Sequence, residues 1–202
     1  MENTDPKISA IVVAAGLSTR MGSPKMLLKW KNSTVLEIVL TTVTQSLFDE
    51  VILVYGAFRE EILNIAKDFP ICAIYNPVFA NGSMLNSLQT GLLAISNNPD
   101  GFMIILGDQP HLSNETIGKL AADYREQQAK LIIPSYHMRR GHPWLIKYAL
   151  KNEILALKEP ETLRDFLKNH ENDIHYTLVD DPGILSDLDT PEDYQRLLKE
   201  EE

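Results

Sequence analysis

The chain has 202 residues, of which 44% are hydrophobic and 23% are charged, and its formal net charge is −9. This length and composition predict one globular domain over residues 1–202 rather than two independent domains. The negative charge argues against nucleic acid or an anionic membrane as a partner, because such binding usually needs a basic surface. An anionic substrate would therefore be held by a local cluster of cations or by a metal ion.

The amino end is polar, and no segment has 18 consecutive apolar residues. The pattern shows neither the apolar core of a secretory signal nor a candidate membrane span, and it predicts a cytoplasmic protein. Cys72 is the single cysteine and lies in an apolar run. We therefore expect it to be a buried core residue rather than a reactive thiol.

Apolar runs alternate with amphipathic stretches along most of the chain. The β-branched run at residues 8–14 predicts a strand that is buried on both faces. Further strands are predicted at residues 51–55, 71–75, 102–106, 131–134 and 174–179. Helices are predicted at residues 34–46, 60–68, 84–95, 114–128 and 161–170, with a last helix opening at Pro191. The alternation predicts an α/β fold in which helices cover both faces of a mostly parallel central sheet.

The segment after the first predicted strand reads AAGLSTRMGSPK, residues 14–25. In an open α/β sheet, a loop at this position is where a ligand binds. Gly16 and Gly22 permit left-handed backbone conformations, and the N–H groups of such a loop suit phosphate oxygens. Arg20 and Lys25 add positive charge. The alternative is a surface loop with solvated cations. Neither the P-loop spacing nor the dinucleotide-binding G-x-G-x-x-G is present.

Asp108 follows the apolar run at residues 102–106, again at the expected carboxyl edge of the sheet. A carboxylate at this edge is suited to Mg²⁺ that also binds nucleotide phosphates. The alternative is a turn residue, because Gly-Asp is common turn chemistry. The position of Asp108 relative to the first loop favours the metal.

Asp187 and Asp189 lie in the segment DLDTPED, residues 187–193. We expect their side chains to point in opposite directions, so that only one binds the metal directly, and Asp189 is the preferred ligand because it adjoins the start of the last helix. The alternative is a capped helix with incidental acids. Thr190 is the expected cap, and Pro191 suits the first helical position.

A polar segment follows the third predicted strand and leads into a helix. It contains Asn76 and the run Gly82–Ser83, with Ser87 one turn into the helix. These side chains suit a base edge or a ribose, and the start of the helix favours an anion. The alternative is an ordinary helix cap.

Two adjacent arginines, Arg139 and Arg140, precede Gly141, His142 and Pro143. In an acidic protein they indicate an anionic acceptor, with His142 as an acceptor contact rather than a general base. The alternative is a solvated turn.

Together these segments resemble the nucleotidyltransferases of molybdenum cofactor maturation, which open with a pattern similar to A-A-G-x-S-x-R-M-G-x-x-K. The likeness starts at residues 14–25 and continues in order at residues 76–77, 82–83, 106–110, 140–143 and 187–193. Each short motif is weak, but the ordered set is specific. The resemblance implies a Rossmann-like three-layer nucleotidyltransferase fold, Mg²⁺ as cofactor, and an NTP and a molybdopterin-type cofactor as substrates.

The resemblance also implies residue roles. The implied nucleotide-binding residues are Ala14, Ala15, Gly16, Ser18, Arg20, Met21, Gly22, Lys25, Asn76, Gly82, Ser83 and Ser87. The implied acceptor-binding residues are Arg140, Gly141, His142 and Pro143. The implied catalytic residues are Arg20, Lys25 and Asp108, with Asp108 and Asp189 as metal ligands.

Within the superfamily the chain most resembles the cytidylyltransferases, which transfer CMP from CTP to the molybdenum-molybdopterin cofactor used by xanthine-dehydrogenase-like hydroxylases. A molybdoenzyme would then receive the product. Guanylyltransferases typically have Leu-Ala-Gly-Gly at the first loop, where this chain has VAAG at residues 13–16. Cytidylyltransferases more often have Pro at Val13, so the choice between CTP and GTP stays open. Two alternatives also stand: a sugar- or polyol-phosphate nucleotidyltransferase, and a non-catalytic carrier of the molybdenum cofactor.

Overall fold

The computed structural model describes residues 5–19 and 21–200. Its strands are β1 (Ile8–Ala14), β2 (Lys29–Trp30), β3 (Ser33–Thr34), β4 (Glu50–Tyr55), β5 (Cys72–Tyr75), β6 (Gly101–Leu106), β7 (Leu131–Tyr136), β8 (Arg139–Arg140), β9 (Trp144–Lys147) and β10 (Ile174–Leu178). Its α-helices are α1 (Val35–Gln45), α2 (Arg59–Ala66), α3 (Met84–Ala94), α4 (Asn114–Gln127), α5 (Lys151–Ala156), α6 (Leu163–Asn169) and α7 (Pro191–Glu200). Short 3₁₀ turns cover Lys25–Leu27, Tyr148–Leu150, Glu171–Asp173 and Pro182–Leu185.

The central sheet has the strand order β10-β7-β9-β6-β1-β4-β5, with β8 paired to β7. The strands β6, β1, β4 and β5 run parallel, and β10 runs parallel to β7. The exception within this order is β9, which is antiparallel to both β6 and β7. Because β9 enters the sheet from the opposite side, its first residues lie at the edge where its parallel neighbours end.

The side chains of the central strands alternate between two apolar layers, one on each face of the sheet. In β1, for example, Ala10 and Val12 pack with α1, α2 and α4, whereas Ile11 packs with α3, α5 and α6. Burial on both faces explains why residues 8–14 form a continuous apolar run instead of alternating with polar residues. The expected three-layer α/β architecture with a mostly parallel sheet is confirmed.

A third, smaller apolar cluster joins the carboxyl-terminal helix to the β2–β3 hairpin. Trp30 and Met21 contribute to it from one side, and Leu188 and Leu197 from the other. The rings of Trp30 and Tyr194 have centroids 6.2 Å apart. This cluster fixes the position of the segment just before α7.

The start of α7 confirms the predicted cap. The Thr190 hydroxyl accepts a hydrogen bond from the Asp193 N–H at 3.2 Å, and the Asp193 carboxylate accepts one from the Thr190 N–H at 3.1 Å. These bonds satisfy backbone N–H groups that a helix end otherwise leaves without partners.

One sequence expectation differs from the structure, and one strand was not predicted. Cys72 is exposed rather than buried, because it opens the edge strand β5. The antiparallel strand β9 was not predicted. In the part of the chain that is described, no helix is long and apolar enough to cross a membrane.

The close contact between α3 and the sheet generates the first prediction. A methyl group added at Gly91 would lie 2.5 Å from Cγ2 of Ile11 and 3.0 Å from Cγ2 of Val54. We expect Gly91→Ala to lower the free energy of unfolding by about 1–3 kcal/mol, because the added carbon overpacks this interface. Urea unfolding measures the change.

The matched control is Gly118→Ala in α4, where an added methyl group meets nothing within 4 Å. There we expect a gain of about 0.5–1 kcal/mol from helix propensity. Equal effects of the two substitutions would contradict the packing described for α3.

Candidate functional site

A cavity of about 780 Å³ opens at the carboxyl edge of the sheet. One part of its lining, called the first wall, comes from the segments that follow β1 and β6, and another part, called the second wall, comes from the segment before β9 and the start of α6. The start of α3 and the segment before α7 complete its wall. Six separate parts of the chain therefore meet here, as the Rossmann-like topology requires of a ligand site.

The loop after β1 is held closed by its own backbone. The Ser18 hydroxyl accepts a hydrogen bond from the Lys25 N–H at 3.2 Å, and the Met21 N–H donates to the Ser18 carbonyl at 3.0 Å. Gly22 has a φ of 67°, as expected, but the other left-handed residue is Ser18 and not Gly16. Ala15 and Gly16 line the cavity, while the predicted residue Arg20 lies outside the described residues.

The ammonium group of Lys25 joins two carboxylates that are far apart in sequence. It forms a salt bridge with Oδ2 of Asp108, and its Nζ lies 3.4 Å from Oδ1 of Asp189. The Lys25 side chain is only 16% exposed, which disagrees with the alternative of a surface loop whose cations are solvated. Burial lowers the pKa of Lys25, but the charges and hydrogen bonds of Asp108 and Asp189 outweigh it and raise the pKa above its ordinary value.

Asp187 lines the same cavity as Asp189, so the expectation that the two side chains point apart is wrong. Side chains in an extended segment alternate faces, and residues two positions apart therefore share one. The intervening residue, Leu188, is fully buried in the opposite direction. Oδ1 of Asp187 accepts a hydrogen bond from Nε2 of Gln109 at 2.9 Å.

The pKa of Asp187 is affected by the neighbouring carboxylates of Asp108 and Asp189. Burial and the negative charges of Asp108 and Asp189 raise its pKa, although the hydrogen bond from Gln109 and the charge of Lys25 act in the opposite direction. Three carboxylates thus lie around one lysine.

The start of α3 supplies the neutral part of the wall. Gly82, Ser83 and Ser87 line the cavity, whereas Asn76 is fully buried behind it. The Asn76 amide donates to the Ser87 hydroxyl at 3.1 Å and accepts from the Val78 N–H at 3.1 Å. Asn76 therefore shapes the turn before α3 and does not face the cavity.

The second wall, formed by the segment before β9 and the start of α6, contains the predicted acceptor residues. Arg140, Gly141 and His142 line the cavity. A methyl group at Gly141 would lie 2.1 Å from the Ile184 carbonyl oxygen, so only glycine fits between β8 and the 182–185 turn. The His142 ring stacks on Trp144, with centroids 4.3 Å apart and an interplanar angle of 14°.

Several other predicted residues lie near the cavity in sequence but do not line it. Of the described residues to which the sequence gave a nucleotide or acceptor role, five besides Asn76 do not line the cavity: Ala14, Ser18, Met21, Gly22 and Pro143. Ala14 and Met21 are buried in the apolar clusters, and Ser18 and Gly22 shape the first loop.

The sequence interpretation gave no role to Gln109 or Arg164, yet both line the cavity, as does Arg139, which was expected together with Arg140 to indicate an anionic acceptor. Gln109 is adjacent to Asp108 in sequence, and this adjacency was the available signal. Arg164 lies in the first turn of α6 and looks like an ordinary solvated helix residue in the sequence. Among the described residues, no carboxylate forms an ion pair with Arg139, Arg140 or Arg164.

The donor set suits a hard divalent cation. Asp108 and Asp189 both contact the Lys25 ammonium, so their oxygens converge on one point, and carboxylate oxygens are the ligands that Mg²⁺ prefers. No group of three or more His, Cys, Asp or Glu side chains in residues 5–19 and 21–200 has the arrangement of a complete metal site. A cation held here would need further oxygens, such as those of phosphates and water.

Comparison with solved structures supports the fold. The structure of Rv0371c from Mycobacterium tuberculosis is similar, with a TM-score of 0.84, 26% identity, and coverage of 97% of this chain and 100% of that chain. Its manganese complex has a TM-score of 0.77 at 23% identity, covering 96% and 98%. A nucleotidyl transferase from Methanothermobacter thermautotroptrophicus has a TM-score of 0.82 at 23% identity, covering 96% and 97%.

The chain belongs to the family of MobA-like NTP transferase domains, whose family model matches residues 10–174. It is 31% identical to a probable molybdenum cofactor guanylyltransferase of Natranaerobius thermophilus, over 95% of both chains. It is 28% identical to the molybdenum cofactor cytidylyltransferase of Escherichia coli, over 93% of both chains. It is also 28% identical to the nicotine blue oxidoreductase of Paenarthrobacter nicotinovorans, over 98% of this chain and 100% of that protein. The family resemblance is confirmed.

The burial of His142 generates a prediction about pH. Burial lowers its pKa from 6.5 to about 4, although an interaction with the backbone of Ile104 opposes the shift. Between pH 6.5 and about pH 4, His142 is protonated in the unfolded chain but neutral in the folded protein. Acidification through this range therefore favours unfolding. We expect the free energy of unfolding to lose about 2 kcal/mol between pH 7 and pH 5 from this group alone.

Urea unfolding of the wild type and of His142→Gln at the two pH values measures this contribution, because only the wild type should show it. Imidazole proton NMR gives a second test, in which the His142 signal stays unchanged between pH 8 and pH 6. A titration midpoint near the ordinary histidine value would contradict the burial of this ring.

Proposed function

We propose that the chain is a nucleotidyltransferase that moves CMP from CTP to the molybdenum-molybdopterin cofactor and releases pyrophosphate. The observation that carries this proposal is that one cavity is lined by two unlike groups of side chains, an acidic group with Lys25 and a group with several arginines. The segments after β1 and β6 bring Lys25 and Asp108 to one wall, and the segment before β9 brings Arg140 and His142 to the other. A transferase needs such a division, because two anionic substrates must meet.

The first wall suits an NTP. Ala15 and Gly16 leave the backbone accessible to a base or ribose, and Ser83 and Ser87 offer hydroxyl groups at the start of α3. Lys25 lies where it can neutralise a triphosphate, and Arg20 belongs to the same loop in sequence. Asp108 and Asp189 would hold Mg²⁺, which supplies positive charge to phosphate oxygens when it is bound.

The second wall suits the phosphate-bearing acceptor. Arg139, Arg140 and Arg164 line it, and no described carboxylate pairs with them. Guanidinium groups match phosphate oxygens in a bidentate geometry, so these three favour an anionic acceptor. The neutral ring of His142, stacked on Trp144, offers a flat surface beside them.

In the proposed reaction an acceptor phosphate oxygen attacks the α-phosphorus of the NTP. A new P–O bond forms to the acceptor, and the bond between the α- and β-phosphates breaks, with pyrophosphate as the leaving group. The acceptor oxygen is already an anion, so no general base is required. Lys25 would stabilise charge on the α-phosphate and the leaving group, and positioning supplies the rest.

Two other functions remain alternatives. A sugar- or polyol-phosphate acceptor would use the same first wall, but the arginine-lined second wall and its RGHP segment favour the pterin cofactor. A carrier that delivers the cofactor without turnover would have no use for Lys25, Asp108 and Asp189 in contact. A pyrophosphate-release assay separates turnover from delivery, and it also separates transfer from the oxidoreductase activity named for one relative.

The base preference is a testable part of the proposal. We expect kcat/KM for CTP to exceed that for GTP by about tenfold or more, a difference of ~1.4 kcal/mol, with Mg²⁺ and the molybdenum-molybdopterin cofactor present. The support is the VAAG loop at residues 13–16, which differs from the Leu-Ala-Gly-Gly that guanylyltransferases typically have. Pyrophosphate release and product mass are measured with each NTP.

Faster turnover of GTP with the same acceptor would overturn the base assignment while leaving the transferase activity in place. Pyrophosphate release with a sugar phosphate, but not with the pterin cofactor, would favour the first alternative. Binding of the cofactor without any pyrophosphate release would favour the carrier.

The acids generate a second prediction. We expect Asp108→Asn and Asp189→Asn each to lower kcat/KM by roughly 10²–10³-fold, on the order of 3 kcal/mol, because each removes a charge that Mg²⁺ would need. Their thermal unfolding should stay close to that of the wild type. Asp187→Asn is the matched variant in the same segment, and we expect a smaller loss because asparagine can keep the bond from Gln109. An inactive Asp187 variant beside a fully active Asp189 variant would reverse the choice of ligand.

A further inference from the structure

Lys25 lies in an unusual position for a residue that is meant to bind phosphate. Its ammonium group is in direct contact with Asp108 and lies 3.4 Å from Asp189. The side chains of Lys25 and Asp108 are 16% and 12% exposed, and that of Asp189 is 34% exposed. The ion pair is thus partly withdrawn from water and is screened less by salt than a surface pair.

These contacts involve the oxygens that the proposed function assigns to a divalent cation. A divalent cation held by Asp108 and Asp189 would need oxygens of the same two carboxylates as ligands. The ammonium group already bridges the same two carboxylates. Two positive centres within contact distance of each other repel strongly where water is partly excluded.

We propose that Lys25 and the divalent cation compete for Asp108 and Asp189, and that the nucleotide relieves this competition by drawing Lys25 onto its phosphates. The inference rests on the proposed function for the nucleotide site. Lys25 is then the internal counter-ion of the acids before substrate arrives and a phosphate ligand afterwards. The Lys25 ammonium group exchanges its carboxylate partners for phosphate oxygens when the metal binds.

Two consequences follow for binding. The nucleotide-free protein takes up a divalent cation weakly, because the cation must first displace Lys25. The cation and the NTP bind with positive cooperativity, because each favours the same position of the lysine, and this coupling is reciprocal. A protein with three carboxylates in one cavity therefore avoids both unpaired acids and premature metal binding.

The test is a titration of nucleotide-free protein with Mn²⁺, which is paramagnetic, followed by electron spin resonance of free Mn²⁺ and by calorimetry. Lys25→Met keeps the length of the side chain and removes its charge. We expect its Mn²⁺ dissociation constant to be lower than that of the wild type by about tenfold or more. Lys130→Met is the matched control, because it breaks a surface lysine–aspartate pair with Asp173, whose atoms lie 3.1 Å apart. It should leave the Mn²⁺ affinity unchanged.

Thermal unfolding gives a second readout. Without metal, Lys25→Met should unfold at a lower temperature than the wild type, because Asp108 loses its counter-ion. Mn²⁺ should then raise its unfolding temperature more than it raises that of the wild type, since tighter binding to the folded state stabilises more. The double variant Lys25→Met/Asp108→Asn should lose this Mn²⁺ response. Lys25→Gln serves for the same measurements if the methionine variant does not fold.

The outcomes separate this inference from the proposed function. If Asp108→Asn weakens Mn²⁺ binding but Lys25→Met binds Mn²⁺ no better than the wild type, the competition is disproved and the proposed metal site stands. Tighter binding by Lys25→Met, lost again in the double variant, supports the competition even if no pyrophosphate is released in the transfer assay. If neither Lys25→Met nor Asp108→Asn changes Mn²⁺ binding, the inference is overturned and the acids are not the metal site.

Discussion

The arrangement of the cavity depends on the parallel pairing of β1 with β6. Val13 is the partner of Leu106 at the end of this ladder, and the Gly107 N–H donates to the Val13 carbonyl at 3.0 Å. The chain therefore leaves both strands at the same level, and the loop with Lys25 and the turn with Asp108 are forced to be neighbours. Gly107 permits this approach, since a methyl group there would lie 3.0 Å from Cβ of Ala14. A slip by one residue would exchange the buried faces of β1 and disrupt both apolar layers.

The electrostatics of the cavity are uneven, and this unevenness suits a transfer between two anions. Three carboxylates surround Lys25 on one side, and three arginines without a described carboxylate partner line the other. The overall charge of −9 disfavours anions in general, so attraction comes from the local arginines and from any metal that joins the acids. Exclusion of water would strengthen both effects.

The sequence predicted most regular elements, because burial on two faces leaves a strong apolar pattern. The first strand was predicted at residues 8–14 and lies at Ile8–Ala14, and Thr190 caps α7 as expected. The direction of β9 was not predictable, because the run at residues 144–147 shows that it is apolar but not which neighbours it pairs with. The exposure of Cys72 was not predictable for a similar reason, since an apolar run does not reveal that its strand lies at the edge of the sheet. Arg164 in α6 could not be distinguished from a solvated charge, and the error at Asp187 came from misjudging the two-residue period of an extended chain.

The small apolar cluster around Trp30 links the carboxyl-terminal helix to the segment that contains Asp187 and Asp189. Leu197 is the buried residue of α7, and Leu188 anchors the segment that carries Asp187 and Asp189. Releasing these contacts would expose far less apolar surface than unfolding the sheet, so local opening of this helix and segment would cost less free energy than global unfolding. Such an opening would remove Asp187 and Asp189 from the cavity while the two main apolar layers stay intact. Hydrogen exchange in the backbone of α7 would thus report on the integrity of this side of the cavity, even though the helix itself contributes none of the residues that line it.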